Sequence, residues 1–522
     1  MALFTDADRT CAEALVALGY CNPFLPERIE YERVVLGEDF VGTDGAWHKH
    51  VEEEDVRPNI ELLTHRAKAL ADGARERLAA RKGPGEVERR FYEDTALYYL
   101  FNKYTQPFFD YVIDAEQGKA AHGVVAELYN RFQDDAVHYL GIPGATFALG
   151  ETDHLFACFF QLRRAWHNIY DNIIGGSMAS ARLRAAAWQS IFTCDMRRYR
   201  RALYNRMGDI TTLVTGPSGT GKELVARAIG LSRYIPFDPK TKRFATDVAQ
   251  CFYPINLSAL SPTLIESELF GHKKGAFTGA VADREGFLEL CPADGAVFLD
   301  EIGELDPAIQ VKLLRVLQTR VFQRIGDQTQ RRFEGKVIAA TNREPAKEMQ
   351  EGRFRQDLYY RLCSDIIVTP SLREQIEGSP EQLHNLLLFL TRRVAGPDEA
   401  EALTEEVARW IQVHLAPGYA WPGNVRELEQ CVRNVMIRKT YHPIKACASK
   451  PQEAFLDAGK AGHLTADDLL RRYCTLVYAE TGSYLETARR LNLDRRTVKE
   501  RVDRDLLAAF HNCGLYNEIV VN

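Results

Sequence analysis

Thr211-Thr-Leu-Val-Thr-Gly-Pro-Ser-Gly-Thr-Gly-Lys-Glu223 is the stretch on which the fold turns. Four of its first five residues are β-branched and the fifth is Leu, which reads as a short buried strand. Gly216, Pro217, Ser218, Gly219, Thr220, Gly221 and Lys222 then fit the spacing G-x-x-x-x-G-K, and Glu223 to Ile229 reads as a helix. Strand, glycine loop and helix in that order form a phosphate cradle: the glycines let backbone N–H groups turn inward, and the helix N-terminus adds a positive dipole end. Lys222 supplies a point charge for the β- and γ-phosphates. The usual Ser or Thr after the lysine is Glu223, a carboxylate that cannot serve as the hydroxyl does, so a Mg2+ shell there would need more water.

Outward from this loop, apolar strands alternate with helices, the pattern of a parallel α/β sheet. Ala296-Val-Phe-Leu299 and Lys336-Val-Ile-Ala-Ala340 read as further buried strands. The first ends in Asp300 and Glu301. Asp300 is placed to hold Mg2+ through water and Glu301 to polarise an attacking water. Asn342, just past the second strand, can read a γ-phosphate through its amide. After Pro370 the pattern turns helical through Glu381–Val394, Glu405–Leu415 and Asn424–Arg438, and Ala446 to Gly462 has the composition of a linker.

At Gly275-Ala-Phe-Thr-Gly-Ala280 the chain stops reading as a generic nucleotide-binding protein. Glu266-Ser-Glu-Leu-Phe-Gly-His272 precedes this hexapeptide. It is followed by Phe298-Leu-Asp-Glu-Ile-Gly-Glu-Leu305, Lys312-Leu-Leu-Arg-Val-Leu-Gln318, Ala339-Ala-Thr-Asn342, Gly352-Arg-Phe-Arg-Gln-Asp-Leu-Tyr-Tyr-Arg-Leu362 and Trp421-Pro-Gly-Asn-Val-Arg-Glu-Leu428. The set resembles the bacterial enhancer-binding proteins, AAA+ activators of RNA polymerase carrying sigma-54. The resemblance runs from about residue 172 to 445 and resumes near 465 to 505.

The resemblance implies ATP and Mg2+ as cofactors, a homo-oligomeric ring, a hexamer in action with a dimer possible at rest, and sigma-54 RNA polymerase as partner. Glu223 is typical of the family, and Pro217 stands where Glu is common. Asn256, in Pro254-Ile-Asn-Leu-Ser258, matches the Asn that holds the catalytic Glu, here Glu301, in a switched-off pose; Leu257 and Ser258 depart from the usual Cys-Ala. Arg355 and Arg361 match the arginines offered to the neighbouring subunit, where a planar guanidinium spreads charge over a transferring phosphate. Arg426 matches the lid arginine that reads nucleotide state in its own subunit. Gly275, Ala276, Phe277, Thr278, Gly279 and Ala280 match the mobile finger that touches sigma-54, with Phe277 and Thr278 its groups of specific contact chemistry. Tyr234 to Asp247 is longer than the family's usual link and has no assigned role.

Near the C-terminus, Leu485 to Leu491 reads as a helix, Asn492-Leu493-Asp494 as a turn, and Arg495 to Arg501 as a second helix capped by Asp494. Leu485, Leu491, Leu493, Val498 and Val502 are the expected shared core. This resembles a Fis-type helix-turn-helix of three or four helices, with Arg495, Arg496, Thr497, Lys499 and Arg501 facing double-stranded DNA. Thr465 to Phe510 carries nine basic and eight acidic residues, so affinity there rests on clustering of cations on one helix and on multivalency.

The first 171 residues carry no nameable motif. They read as a mostly helical regulatory domain awaiting an unknown signal ligand or protein. Nine aromatics fall between Phe91 and Tyr111, either a buried helix or the wall of a ligand pocket. Trp47-His48-Lys49-His50 with the acids after it lacks a diagnostic metal spacing. Ala181 to Arg206 reads as a basic helix.

The whole is expected to be multidomain α and α/β: a helical domain over 1–171, an AAA+ ATPase over 172–445 (α/β part 172–370, helical lid 371–445), a linker over 446–463 and the DNA-binding domain over 464–522. Composition agrees. The chain has 522 residues, 46% hydrophobic and 26% charged, with 66 Lys and Arg against 72 Asp and Glu for a net charge of −6. This excludes a disordered or fibrous chain and puts nucleic-acid binding on a local patch. No apolar run approaches the roughly 20 residues of a membrane helix, and 11 scattered cysteines fit reduced thiols in a bacterial cytoplasm. The rival readings are an AAA+ regulator that binds DNA without acting on sigma-54, and a DNA-bound scaffold or repressor with a vestigial ATPase.

Overall fold

The computed structural model describes residues 3–42, 58–79, 85–142, 149–247, 251–377, 380–416, 418–443, 465–503 and 506–507. The segment Trp47 to Asp55, the linker 446–463 and residues 508–522 lie outside these. The chain forms two compact units, Met1–Lys439 and Thr440–Asn522.

The centre of the first unit is a five-stranded parallel sheet. Its strands are β1 (Thr212–Thr215), β4 (Phe252–Asn256), β5 (Ala296–Asp300), β8 (Lys336–Thr341) and β9 (Asp365–Val368), in the order β4-β5-β8-β1-β9. Two short antiparallel pairs interrupt the chain: β2 (Phe237–Asp238) with β3 (Arg243–Phe244), and β6 (Val321–Phe322) with β7 (Arg331–Arg332). β1, β5 and β8 are the interior strands and are buried almost throughout, as a parallel strand covered on both faces must be. The expected strands at 211–215, 296–299 and 336–340 are these three. β4 and β9 are the edges. β4 carries Pro254, tolerable where one side of the strand needs no ladder bond.

The first 171 residues fold into helices Asp6–Tyr20, Glu27–Leu36, Pro58–Ala79, Glu86–Glu116, His122–Leu140 and Thr152–Asn172. Glu86–Glu116 holds the aromatic run, and Tyr92, Tyr99, Tyr104 and Phe108 are buried from it. The basic segment after Gly175 is not one helix. Ser177 caps Met178–Phe192, and Thr193 then takes a positive φ of 65° and ends it. A short turn Met196–Arg198 and one wide π turn, Tyr199–Leu203, follow before β1. A β-branched residue in the left-handed region is costly, and here it redirects the chain toward the sheet.

The insertion 234–247 is the β2–β3 hairpin, and it belongs to the core of the N-terminal helices. Phe237 lies 4.7 Å from Tyr129 and 4.8 Å from Phe156, centroid to centroid, and Phe244 stacks on Phe160 at 4.3 Å. After β9 come Leu372–Ile376, Pro380–Ala395, Ala400–His414 and Asn424–Arg438, the helical lid.

In the second unit the described residues form three helices, Ala466–Thr481, Tyr484–Leu491 and Arg495–Arg501. Asn492 takes φ 51° and Asp494 caps the last helix, its Oδ1 accepting from the Arg496 N–H at 2.7 Å. Val498 is fully buried, Leu491, Leu493 and Val502 half-buried. Leu485 departs from the expected core: it is 60% exposed, on the outer face of a two-turn helix that buries Thr487 and Ala488 instead.

Candidate active site

In a parallel sheet all strands point their carboxyl ends one way, and loops from every strand converge on that edge. Gly216 follows β1, Asn256 ends β4, Asp300 ends β5, Asn342 follows β8 and Thr369 follows β9. The strand order places the β1 loop between Asn342 on one side and Thr369 on the other.

The loop 216–222 is shaped by backbone geometry only glycine accepts readily. Gly216, Gly219 and Gly221 have φ of 143°, 79° and 87°. A Cβ on Gly216 would collide with Thr369 Oγ1, and one on Gly219 with the Gly423 carbonyl oxygen. Lys222 is buried; its Nζ donates to the carbonyls of Gly216 and Pro217, both at 3.1 Å. Burial holds its ammonium below the ordinary lysine range, with Glu301 and Asp300 pulling the other way. Those two carbonyls are therefore stand-in acceptors for a more strongly charged oxygen group. Thr220 Oγ1 donates to the Pro217 carbonyl at 2.8 Å and meets Thr369 Oγ1 at 2.6 Å. Glycine cradle, buried lysine and the N-terminus of the Lys222–Gly230 helix together fit a polyphosphate.

Asp300 is half-buried, and burial raises its carboxyl above the usual range. Its Oδ1 accepts from the Glu301 N–H at 3.1 Å. A divalent cation would restore the charged form there and so fits the donor set. Glu301 sits in the left-handed region at φ 55°, and its Oε2 accepts from the Asn342 N–H at 3.4 Å. A non-glycine residue in that conformation at a strand end is the kind of strain that marks a functional turn. The expected contact between Asn256 and Glu301 is absent among the described residues. Asn256 Oδ1 instead accepts from the Ser258 N–H at 3.0 Å and the Ser258 hydroxyl at 2.8 Å. The hydroxyl comes from the residue that departs from the family pattern, Ser where Ala is usual.

The lid closes on the loop. Asn424 Nδ2 donates to the Ser218 carbonyl at 2.9 Å, the Val425 N–H to the Gly219 carbonyl at 3.1 Å, and Arg426 Nη1 to Ser218 Oγ at 3.2 Å. Arg426 thus lies beside the loop. Thr369 and Asn424 were not singled out from sequence. Asn424 lay in plain view inside Trp421–Leu428, whereas Thr369 offered no signal beyond its place before Pro370.

Glu223 is exposed on the first turn of the loop helix. Arg355 takes the N-cap position of the helix Gln356–Leu362 and Arg361 lies in its last turn; both are exposed. Arg355 makes a two-pronged ion pair with Asp357, at 2.7 and 3.0 Å. Arg361 donates through Nε to the Leu317 carbonyl at 3.3 Å, and its own carbonyl accepts from Thr211 Oγ1 at 2.6 Å, which ties it to the start of β1.

Gly275–Ala280 folds as a closed tip. The Gly275 N–H donates to the Ala280 carbonyl at 2.8 Å and the Ala280 N–H to the Phe277 carbonyl at 3.0 Å, with Gly275 and Gly279 at positive φ. Phe277 is half-buried against His272, ring centroids 4.9 Å apart, and Thr278 is exposed at the apex. Ala276 rests beside Gly326 between β6 and β7.

Arg495, Arg496 and Lys499 are exposed on the last helix, with no carboxylate partner among the described residues. Thr497 is half-buried, and Arg501 pairs with Asp467 on the first helix of that unit.

Among the described residues there is no three-ligand metal cluster, and no helix is long and apolar enough to cross a membrane.

A family profile described as the Sigma-54 interaction domain matches residues 194–367. The Nif-specific regulatory protein of Azotobacter vinelandii is 44% identical over 227 residues, which is 44% of this chain and 40% of that protein. The regulatory protein LuxO of Vibrio cholerae is 42% identical over 224 residues, 43% of this chain and 45% of its own length. The chain thus spans less than half the length of these curated relatives. The crystal structure of NtrX from Brucella abortus in complex with ATP aligns over 76% of this chain and 87% of that one, at 20% identity and a TM-score of 0.38. Over residues 194–367 the chain is thus similar to the sigma-54 interaction domain.

Proposed function

We propose that the chain is an ATP-hydrolysing transcription activator, a regulatory domain over 1–171, a ring-forming ATPase over 172–445 and a DNA reader over 464–522. The observation that carries this is one domain holding both the phosphate cradle at the sheet edge and the closed Gly275–Ala280 tip with Thr278 at its apex. Lys222 and the loop N–H groups would hold the ATP phosphates, and Asp300 would hold Mg2+ through water; the cation neutralises developing phosphate charge when bound. Glu301 would take a proton from the attacking water. Arg361 and Arg355 would reach the site of the neighbouring subunit, and Arg426 would report occupancy to the lid. The tip would engage sigma-54 and drive the polymerase from closed to open complex. Arg495, Arg496 and Lys499 would dock the assembly on upstream double-stranded DNA through phosphates and the major groove.

Two measurements on the full chain test this. ATPase rate per subunit should rise cooperatively with protein concentration, and ATP should support open-complex formation by sigma-54 polymerase on promoter DNA. Turnover without open complexes would leave a DNA-bound AAA+ regulator of another kind. No turnover at any concentration would remove the enzyme reading.

A further inference from the structure

The N-terminal helices line a partly open cavity of about 220 Å3. One part of its wall is theirs, including Leu18, Tyr98 and Phe101. The other part, Trp188, Met196, Tyr199 and Arg200, belongs to the segment that leads into β1. The lining is chiefly aromatic and aliphatic, which suits an organic ligand better than an ion. An apolar cavity of about 150 Å3 accepts benzene, so this one has room for roughly nine heavy atoms.

The charges on the wall select further. Arg28 pairs with Glu32 at 2.8 Å, and Arg197 pairs with Asp94 at 2.7 Å, where Asp94 also accepts from the Tyr20 hydroxyl at 2.6 Å. Arg200 is left over. It pairs with no carboxylate among the described residues, and its Nη1 is buried without a hydrogen-bond acceptor. The cavity therefore offers an aromatic-walled apolar space and one surplus cation with an unmet donor. Its match is an anion on a ring.

The wall is also wired to the sheet. The Tyr199 hydroxyl donates to Gln161 Oε1 at 2.7 Å, and Gln161 Nε2 donates to the Ser232 carbonyl at 2.9 Å, just past the C-terminus of the Lys222–Gly230 helix. His154 Nε2 meets the Arg200 carbonyl at 2.7 Å, so the turn bearing both residues is held from the N-terminal side.

We propose that this cavity is the signal site of the chain, that it takes a small monocyclic aromatic carboxylate of about benzoate size against Arg200, and that occupancy reaches the phosphate loop through Tyr199, Gln161 and Ser232. The binding half stands by itself; the coupling half rests on the ATPase reading.

Benzoate and the neutral, equal-sized acetophenone are the probes, titrated into the full chain with the fluorescence of Trp166 and Trp188, which both line the cavity, as the readout. Benzoate is expected to saturate the signal and to bind at least about tenfold more tightly than acetophenone. Arg200→Met should erase that preference and leave acetophenone binding unchanged. Leu18→Phe, which fills space at the wall, should weaken both probes. No saturation with benzoate up to about 10 mM, equal binding of the two probes, or undiminished binding in Leu18→Phe with Arg200→Met also unaffected would each overturn the site. In wild type, benzoate should change the ATPase rate; in Gln161→Leu it should still bind and no longer change it. Benzoate binding with an unaltered wild-type rate overturns the coupling alone, and absent turnover in every sample, with binding intact, overturns the ATPase reading instead.

Discussion

Gly219 is the residue at which loop and lid meet, and its missing Cβ is what lets them. With φ of 79° and the Gly423 carbonyl where a methyl would go, Gly219→Ala carries both backbone strain and a clash. Strain of this kind costs of order 1–3 kcal/mol, so nucleotide affinity should fall by about 5- to 150-fold, readable by titration with a fluorescent ATP analogue. Lys222→Ala should remove binding altogether, because among the described residues no other ammonium or guanidinium reaches the loop carbonyls it now satisfies; retained affinity would refute the cradle. Lys336 makes a different prediction. It is buried at the start of β8, its Nζ donating to the Ile210 carbonyl at 2.6 Å, and burial pushes its ammonium down to about 7. Between that value and the ordinary lysine pKa of about 10.4, the unfolded chain keeps a proton the folded chain releases. Stability from this group therefore rises as pH climbs through that window, and is least below pH 7, where both forms are charged. The slope of the thermal midpoint against pH above neutrality should flatten in Lys336→Met.

At the scale of elements, legibility followed burial. β1, β5 and β8 are interior strands, read as uninterrupted apolar runs, and all three were visible in the sequence. β4 and β9 were not, because an edge strand is short and half-exposed: β9 leaves Ile366 and Val368 exposed, and β4 contains a proline. The motif residues fared the same way. Gly216–Lys222, Asp300 and Asn342 meet at one edge because a parallel sheet gathers the loops after its strands there, and Arg426 reaches the same edge from the lid helix. The partner of Asn256 was not legible, since it is set by a local turn in which the Ser258 N–H and hydroxyl both donate to Asn256 Oδ1. The basic helix expected through Arg206 failed at Thr193, where no glycine or proline announces the break. The aromatic run 91–111 was read in two ways, and both describe part of it: Tyr92, Tyr104 and Phe108 are core, while Tyr98 and Phe101 line the cavity. For the tip, Thr278→Ala is expected to keep ATP turnover within about twofold, as a surface change far from the cradle, and to abolish open-complex formation. A variant that still opens promoters would exclude Thr278 from the contact.

At the scale of the whole molecule, the two arginines are not equivalent. Arg355 is held by its own Asp357, whereas among the described residues the Arg361 side chain has a carbonyl partner and no carboxylate, with its backbone anchored at the start of β1. Arg361→Ala should therefore lower turnover more than Arg355→Ala, by roughly the 10³–10⁵-fold that a trans arginine contributes, with ATP binding retained. Mixing Arg361→Ala with Lys222→Ala subunits should restore part of the rate, since each supplies what the other lacks across an interface. Absence of rescue at every ratio would argue that Arg361 serves its own subunit.

The β2–β3 hairpin has a practical corollary. It is encoded inside the ATPase segment, yet Phe237 and Phe244 are bricks of the neighbouring helical core. Cutting the chain near Ile174 would strand two phenyl rings in water and invite aggregation that could be mistaken for an inactive enzyme. A minimal ATPase should also have the hairpin shortened. Conversely, anyone moving the N-terminal helices onto another protein must carry residues 234–247 along with them, for the core of those helices is completed by Phe237 and Phe244 from the far side of the phosphate loop.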